Sequence, residues 1–384
     1  MARKLADLAA EAGLRRIHML AWRDLGDVEA GGSEVHAANV ARLWALAGLD
    51  VTMRTSHAQG RRPMAIRDGY RVVRRAGRYM VFPRAVWGEV TAKYGPYDGL
   101  VEIWNGMPFF SPLWDRGRRV VVVHHAHTEM WPMVLSPKWA RLGDAVERRL
   151  APPVYGRSRI ITLSETSKAD LVATLGFRPE RITVVPPGID DRFSPAPPGA
   201  RSPTPLAVAV GRLVAVKRFP VAVRAAALVR RRVPGFKLVI VGEGQDRPEL
   251  EQLVDELGAG DAVELPGHRS DGDLVDLYRR SWVVLSTSAA EGWGMSLTEA
   301  AACGTSAVAT DIAGHRDAVI DGETGILFAR GDPAAAADAL TRMLTDDGLR
   351  SRFAAAAQAR SAQFTWGTTA VEILRALADE RATT

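Results

Sequence analysis

VVLSTSAAEGWGMSLTEAAAC, residues Val283 to Cys303, changes character at its centre. Its apolar start, Val283 to Ser288, has the density of a buried strand, and Met295 to Cys303 reads as the helix that follows. Glu291 then stands at a strand's carboxyl end, the edge where open α/β sheets bind ligands. Gly292 and Gly294 let the backbone come close to a ligand, and the amides of Met295 and Ser296 open the helix as an anion site. A helix N-terminus carries roughly half a positive charge, so phosphate is the natural guest. Glu299 lies eight positions beyond Glu291, a little over two helical turns, and returns to the face that Glu291 flanks. A carboxylate for hydroxyls at each end, with phosphate between, describes a sugar nucleotide. Taken alone, the pair reads more simply as two surface glutamates, so the segments around it carry the decision.

Upstream, Pro205 to Leu213 (PLAVAVGRL) reads as a strand ending in Gly-Arg, followed by Lys217 and a helix from about Phe219. A guanidinium and an ammonium five residues apart can clamp a diphosphate, Arg212 in bidentate fashion and Lys217 as a point charge. Two solvated basic residues at a strand exit are the plain alternative. In combination, G-R-L-x3-K followed about eighty residues later by E-G-W-G-M-S-L-T-E resembles the retaining glycosyltransferases of family 4 (glycosyl transferases group 1). The resemblance covers nearly the whole chain. It implies the α/β GT-B architecture, two Rossmann-like doubly wound parallel-sheet domains facing across a cleft.

Composition agrees with that expectation. A chain of 384 residues with 47% apolar content is long enough for two domains with ample cores. The single cysteine, Cys303, excludes a disulfide framework within the chain and suits a reducing cytoplasm. No signal-peptide pattern opens the chain and no apolar run reaches the length of a membrane span, so a cytoplasmic location is expected. The net charge of +6 and pI near 9.7 come largely from arginine clusters such as Arg61 and Arg62, Arg74, Arg75 and Arg78, and Arg230 to Arg232. They favour anionic partners: nucleoside diphosphates or an anionic lipid surface. Nucleic acid is excluded as a partner for want of any zinc-finger spacing, basic heptad region or RNA-binding aromatic signature.

Strand and helix signals alternate from end to end, which argues for parallel sheets covered by helices. Strands are expected at about Ile17 to Trp22, Val51 to Thr55, Tyr70 to Arg74, Leu100 to Trp104, Val120 to His124, Ile160 to Leu163 and Ile182 to Val185. Helices are expected at Ser33 to Leu46, Pro137 to Leu150 and Glu165 to Leu175. The segment Pro186 to Pro205 is the best linker in the sequence, rich in Pro, Gly, Ser and Asp. After it, strands restart near Ala207, Leu238, Val263, Val283, Ala307 and Gly325. The expected organisation is a first domain over 1–187, a linker over 188–204 and a nucleotide-sugar domain over 205–365. The resemblance implies that the final helix, 366–384, crosses back onto the first domain.

Further site residues follow from strand-end loops. Gly31 and Gly32 precede a helix beginning near Ser33, a second phosphate-facing loop by the same helix-terminus logic. The resemblance carries both glycines over as donor-diphosphate residues. Asp24, Asp27 and Glu29 in that loop are candidates for acceptor contact or plain loop charges. After the strand at Val120, His124, His125 and His127 cluster. Metal binding by them lacks a further ligand. The resemblance puts a histidine over the donor sugar, and H-x-H-T assigns it to His125, with His124 and His127 as register alternatives. Glu102 and Asn105 follow another strand and are candidates for acceptor hydroxyls or amines. G-E-G-Q-D-R, from Gly242 to Arg247, is only a partial dinucleotide fingerprint. The resemblance places the nucleotide base beside His268 and Arg269, and the donor on Gly292, Trp293, Gly294, Met295 and Ser296.

Asp271 and Asp273 have the D-x-D spacing of metal-dependent sugar-nucleotide enzymes, but Ser270 with Asp273 reads better as a helix-capping pair. No metal site and no cofactor are expected, with Arg212 and Lys217 neutralising the leaving diphosphate. The expected reaction is transfer of a sugar from a UDP- or GDP-sugar to an acceptor hydroxyl with retention. Glu291 would bind sugar hydroxyls and Glu299 the ribose. A nucleotide-sugar epimerase or a non-catalytic binding homologue of the same fold are the alternatives. A dinucleotide oxidoreductase is excluded, since no complete G-x-G-x-x-G follows an early strand. No amphipathic anchor of basic and aromatic residues stands out, which favours a soluble acceptor such as an aminocyclitol over a lipid-linked one at the inner membrane face. Monomer and homodimer both remain open.

Overall fold

The alternation of apolar runs and amphipathic segments folds into two α/β units. Unit 1 comprises residues 1–188 with the segment from Thr365 onward, and unit 2 comprises residues 189–364. The computed structural model describes residues 1–197 and 199–380. The end of the final helix as expected from sequence, residues 381–384, lies outside the described residues.

Unit 1 contains β1 (Arg16–Leu20), β2 (Asp50–Thr55), β3 (Met64–Arg67), β4 (Tyr70–Arg74), β5 (Gly99–Trp104), β6 (Arg119–Val123), β7 (Arg159–Thr162) and β8 (Ile182–Val184). They form one sheet in the order β3-β4-β2-β1-β5-β6-β7-β8. All pairings are parallel except β3 with β4. The central strands are buried on both faces, which is why they read as continuous Val/Ile/Leu runs. β3 is an addition to the strands expected from sequence. It is a short edge strand joined to β4 through Asp68 and Gly69, both at positive φ (47° and 87°). Asp-Gly at these angles is a two-residue hairpin turn whose twist suits antiparallel pairing. The helix Trp366–Asp379 buries Ala370, Val371, Ile373, Leu374 and Leu377 in the unit 1 core beside Leu5, Val40 and Trp44. The Trp44 indole donates to the Ala370 carbonyl at 3.0 Å.

Unit 2 contains β9 (Leu206–Val210), β10 (Lys237–Val241), β11 (Val263–Gly267), β12 (Val283–Ser286), β13 (Ala307–Thr310) and β14 (Gly325–Phe328). Their order is β11-β10-β9-β12-β13-β14, all parallel. Counted within the unit this is 3-2-1-4-5-6, the dinucleotide-fold order, which reverses between β9 and β12. Alanines on the helix Phe219–Val229 pack flat on this sheet, with Phe236, Leu340 and Phe353 filling the rest of the core. The Pro-rich stretch expected as a linker is bonded to unit 2 by its own polar residues. Ser194 accepts from Arg279 through its carbonyl (2.9 Å) and hydroxyl (2.8 Å). Arg201 donates to the Ser281 and Gly304 carbonyls and to the Thr305 hydroxyl. Composition alone marks this stretch as irregular and misses these anchors.

Several charges expected at surfaces or in sites are internal struts. Asp24, fully buried, is held by Arg67 at 2.9 and 3.0 Å and faces Arg74 at 3.1 Å. Burial acts to raise its carboxyl, but these guanidiniums bring it below the ordinary carboxylate range. Asp24 and Arg74 are therefore lost as acceptor contact and surface charge. Arg230 and Arg232, by contrast, pair at the surface with the exposed Asp261 and Asp338. Glu102, also fully buried, accepts from the amides of Phe109 (2.7 Å) and Ser111 (3.3 Å), from the Ser111 hydroxyl and from Tyr155 Oη (2.6 Å). It ties down the turn through Phe109 and Ser111 from the interior. Conversely, the helix Val81–Val90 turns Trp87 and Val90 outward, with Met80 before it; Arg84 and Lys93 are exposed nearby. This is the basic-aromatic surface that the sequence reading did not find.

His36 and His124 lie ring to ring at 5.2 Å inside unit 1, both buried and with no hydrogen-bond partner to either ring nitrogen. Burial lowers the His36 imidazole to about 4 and also lowers His124. Above about pH 6.5 folded and unfolded chains both hold them neutral; as the pH falls towards 4, only the unfolded chain takes up the protons. For His36 this removes about 3 kcal/mol of stability over that interval. Urea unfolding between pH 7 and 4.5 should show the decline, and His36→Phe should flatten it. An equal slope in the variant would show that His36 is not protonated on unfolding.

Candidate active site

In unit 2 the site forms where the strand order reverses. β9 ends at Gly211 and Arg212, and two further glycines give that turn its room. A Cβ at Gly242 would fall 1.9 Å from the Gly211 oxygen, and one at Gly244 would fall 2.1 Å from the Leu213 oxygen. With both absent, the Leu213 amide reaches the Glu243 carbonyl (2.9 Å) and the Asp246 amide reaches the Leu213 carbonyl (3.0 Å). The partial fingerprint in G-E-G-Q-D-R thus shapes the turn that carries Arg212. Arg212 itself is half-buried.

Lys217 closes a short 3-10 turn, Ala215–Lys217, and Arg218 after it is left-handed (φ 52°). That turn is sewn to the loop after β12: the Ala289 amide donates to the Val216 carbonyl (2.8 Å) and the Thr287 hydroxyl to the Lys217 carbonyl (2.9 Å). The result brings together two residues 74 apart in sequence, since Lys217 Nζ donates to Glu291 Oε1. Ser288 Oγ donates to the same oxygen at 2.8 Å. Burial would raise the Glu291 carboxyl, but the Lys217 charge and these hydrogen bonds lower it to about 2. Glu291 is an acceptor that stays ionised.

Gly294, left-handed at φ 97°, opens the helix Met295–Ala302, whose first turn has no side-chain cap. Glycine is required there, because a side chain at that angle is strained and would meet His315 at 2.9 Å. Glu299 lies on this helix and accepts from Tyr278 Oη at 3.2 Å. Burial raises its carboxyl to about 7. The two carboxylates of the motif are therefore pushed in opposite directions. Gly292 is buried with the turn, and Trp293 turns its indole inward, edge-on to Phe364 at 5.1 Å. Only the backbone at Trp293 remains for a ligand. His268 and Arg269 are exposed after β11, at the same carboxyl edge of the sheet.

In unit 1 the strand order reverses between β1 and β5. The helix Gly32–Leu46, after β1, begins beside Asn105, after β5: Asn105 Nδ2 donates to Ser33 Oγ at 2.7 Å. His127 Nε2 lies 3.0 Å from Asn105 Oδ1 and is therefore the protonated nitrogen. Glu147 accepts from the His127 amide and the Trp131 indole, each at 2.9 Å, fixing the histidine loop. Of the three histidines, His124 and His127 are buried and His125 is half-exposed, stacked on His127 at 4.3 Å. The Gly31 amide is already committed to Glu34 Oε2 (2.8 Å) as a helix cap, which leaves Gly32 as the exposed glycine of the pair. Sequence reasoning missed Glu147, Tyr278, Ser288 and His315. For His315 alone a signal existed, a Gly-His after a strand.

Asp273 and Ser270 form the expected cap, with the Asp273 amide donating to Ser270 Oγ (3.2 Å) and that hydroxyl to Asp273 Oδ2 (2.7 Å). Asp271 is paired with Arg192. Among the described residues there is no group of three or more His, Cys, Asp or Glu placed to hold a metal ion, and no helix long and apolar enough to cross a membrane.

Known proteins resemble this chain in sequence and in fold. The D-inositol 3-phosphate glycosyltransferase of Acidothermus cellulolyticus is 32% identical, over 96% of this chain and 92% of that protein. That of Xylanimonas cellulosilytica is 30% identical, over 91% and 92%. Among solved structures, sucrose-phosphate synthase from Thermosynechococcus elongatus has a TM-score of 0.80 at 21% identity, covering 94% of this chain and 97% of that one. Anabaena Alr3699/HepE in complex with UDP-glucose has a TM-score of 0.75 at 20% identity, covering 95% and 100%. These likenesses give the fold as GT-B. Residues 190–360 match the family model "Glycosyl transferases group 1" and residues 30–193 match "Glycosyltransferase Family 4". The chain belongs to the family 4 glycosyltransferases.

Proposed function

We propose that this glycosyltransferase moves a hexose from a nucleoside diphosphate sugar to a hydroxyl of a small acceptor, with retention at the anomeric carbon and without a metal. The meeting of Lys217 and Glu291 at the strand reversal of unit 2 carries the reading. It puts a cation for the diphosphate beside an ionised acceptor for sugar hydroxyls, next to the uncapped first turn of Met295–Ala302. Arg212 and Lys217 neutralise the leaving diphosphate, Glu299 takes the ribose, and the exposed 268–269 loop takes the base. His125 is the histidine for the donor sugar, because it is the one of its cluster not enclosed. UDP is the favoured nucleotide, since a neighbour of the same fold is solved with UDP-glucose. Relatives that act on D-inositol 3-phosphate support a cyclitol-like acceptor.

Metal independence is supported by the commitment of Asp271 and Asp273 to Arg192 and the helix cap. Retention is carried over from the family resemblance. The leaving phosphate would then take the acceptor proton as the new bond forms on the same face.

Three outcomes are expected. In thermal-shift assays with UDP, GDP, ADP and dTDP in EDTA, one nucleotide should stabilise the wild type, by about 2.7 kcal/mol at 100 times its dissociation constant. Arg212→Ala should abolish that shift; a shift that needs magnesium or manganese would refute the metal-independent clamp. Because Glu299 titrates near 7 and the ribose needs it as an acceptor, nucleotide affinity should fall as the pH drops from 8 to 6. Glu299→Gln should remove this dependence, and an unchanged profile in the variant would take the ribose away from Glu299. The exposed Trp87 and Val90, flanked by Arg84 and Lys93, suit a peripheral contact with anionic lipid. Co-sedimentation with anionic vesicles should be salt-sensitive and weakened in Trp87→Ser; no binding at low salt would dismiss the contact.

A further inference from the structure

His315 belongs to none of the roles above, yet it is fully buried beside the donor motif. It begins the short helix His315–Ala318 after β13, the strand next to β12. Its Nδ1 lies 2.9 Å from the Thr310 carbonyl oxygen. A carbonyl only accepts, so Nδ1 bears the proton, and in the neutral ring Nε2 is an acceptor. Burial favours that neutral ring. Nε2 lies 3.3 Å from Ser286 Oγ, the last residue of β12. Ser286 Oγ is 3.5 Å from Ser288 Oγ, and Ser288 donates to Glu291 Oε1 at 2.8 Å.

One line of polar groups therefore runs from the Thr310 carbonyl through the imidazole and two serines to the Glu291 carboxylate and Lys217. The backbone is packed as closely. A Cβ at Gly294 would meet His315 Cδ2 at 2.9 Å, and a Cβ at Gly314 would fall 2.5 Å from the Glu291 carbonyl oxygen. The imidazole lies under the glycine turn, and the residue before it abuts the backbone of Glu291. Nε2 accepts the Ser286 hydroxyl proton and Ser288 gives its own to Glu291, so the two serine oxygens, 3.5 Å apart, meet as a packing contact with no proton between them.

We propose that His315 is a positioning residue that, by holding Ser286 and packing under the Gly294 turn behind Ser288, sets the orientation of the Glu291 carboxylate and so the grip on the donor's sugar. This rests on the reading that Glu291 binds the sugar. The nucleotide half of the donor does not depend on it.

The test compares dissociation constants, by calorimetry, of UDP, GDP and ADP with those of their glucose conjugates for wild type, His315→Leu, His315→Gln, Ser288→Ala and Glu291→Ala. In His315→Leu the sugar nucleotide should weaken by about tenfold, within the range found for residues in contact, while the free nucleotide changes less than about twofold. His315→Gln, which restores an acceptor near Nε2, should recover most of the loss. The loss in His315→Leu/Ser288→Ala should fall well short of the sum of the single losses, as for residues in one network. Equal weakening of nucleotide and sugar nucleotide, no rescue by glutamine, or full additivity with Ser288 would overturn the positioning role. If His315→Leu does not fold, Ser286→Ala carries the same expectation. If Glu291→Ala itself leaves the sugar nucleotide unweakened, the donor-site reading fails first and takes this inference with it. If Glu291→Ala weakens it and His315→Leu does not, only the inference fails.

Discussion

The contact between Lys217 and Glu291 is the constraint on which unit 2 turns. An ammonium and a carboxylate removed from water lose hydration worth several kcal/mol each, recovered only when geometry is good and remaining lone pairs are met. Here Ser288 meets Glu291, and the backbone around both residues is fixed before the side chains touch. The fixing is done by absence: Gly242, Gly244 and Gly314 stand where any Cβ would strike backbone. Three strand-end loops can then press together at the reversal between β9 and β12. The sheet order creates the crevice, the glycines let the loops occupy it, and the charge pair is what they deliver.

Unit 1 reaches a comparable end by different means. Its strand reversal is bridged by polar side chains, Ser33 to Asn105 to His127, and the histidine loop is held from behind by Glu147. Glu147 lies in a widened turn of helix, Val146–Leu150, and is fully buried. Asp24 and Glu102 work in the same manner for the neighbouring loops. Buried carboxylates here replace the glycines of unit 2. Removing one partner of a buried ion pair such as Asp24 with Arg67 and Arg74 typically costs about 3–5 kcal/mol.

This explains what the sequence could and could not disclose. Strands β9 to β14 and the helices Glu165–Leu175 and Trp366–Asp379 were legible because period and breaker residues coincide there. The hairpin of β3 carried its signal too, the Asp-Gly of R-D-G-Y, but M-A-I-R is too short and too weakly alternating to stand out. The placement of Arg212, Lys217 and Glu291 at strand ends, and of Glu299 on the helix after them, was legible because each follows an apolar run. Glu102 and Asp24 were misread because a carboxylate's partners, Tyr155 and Arg67, come from distant elements. The same holds for the outward turn of Trp87, which depends on which side of Val81–Val90 meets the sheet. Composition could not say whether an arginine such as Arg74 was surface charge or strut.

The opposed environments of Glu291 and Glu299 follow from one geometric fact. Glu291 sits on a turn that reaches Lys217, whereas Glu299, on the helix behind it, has Tyr278 as its hydrogen-bond donor. A neutral hydroxyl cannot offset burial as an ammonium can, so one carboxyl falls to about 2 and the other rises to about 7. On the donor-site reading, an arriving diphosphate competes with Glu291 for Lys217. The ammonium has three donors and need not surrender one partner to gain the other. Such sharing requires that Glu291 not follow the ammonium when it turns, because a carboxylate pulled toward the phosphates would leave the sugar unheld. Ser288 supplies that restraint, and Ser286 with the buried imidazole packs behind it. The chemistry of the motif is therefore set as much by the strand beside it as by the motif's own residues.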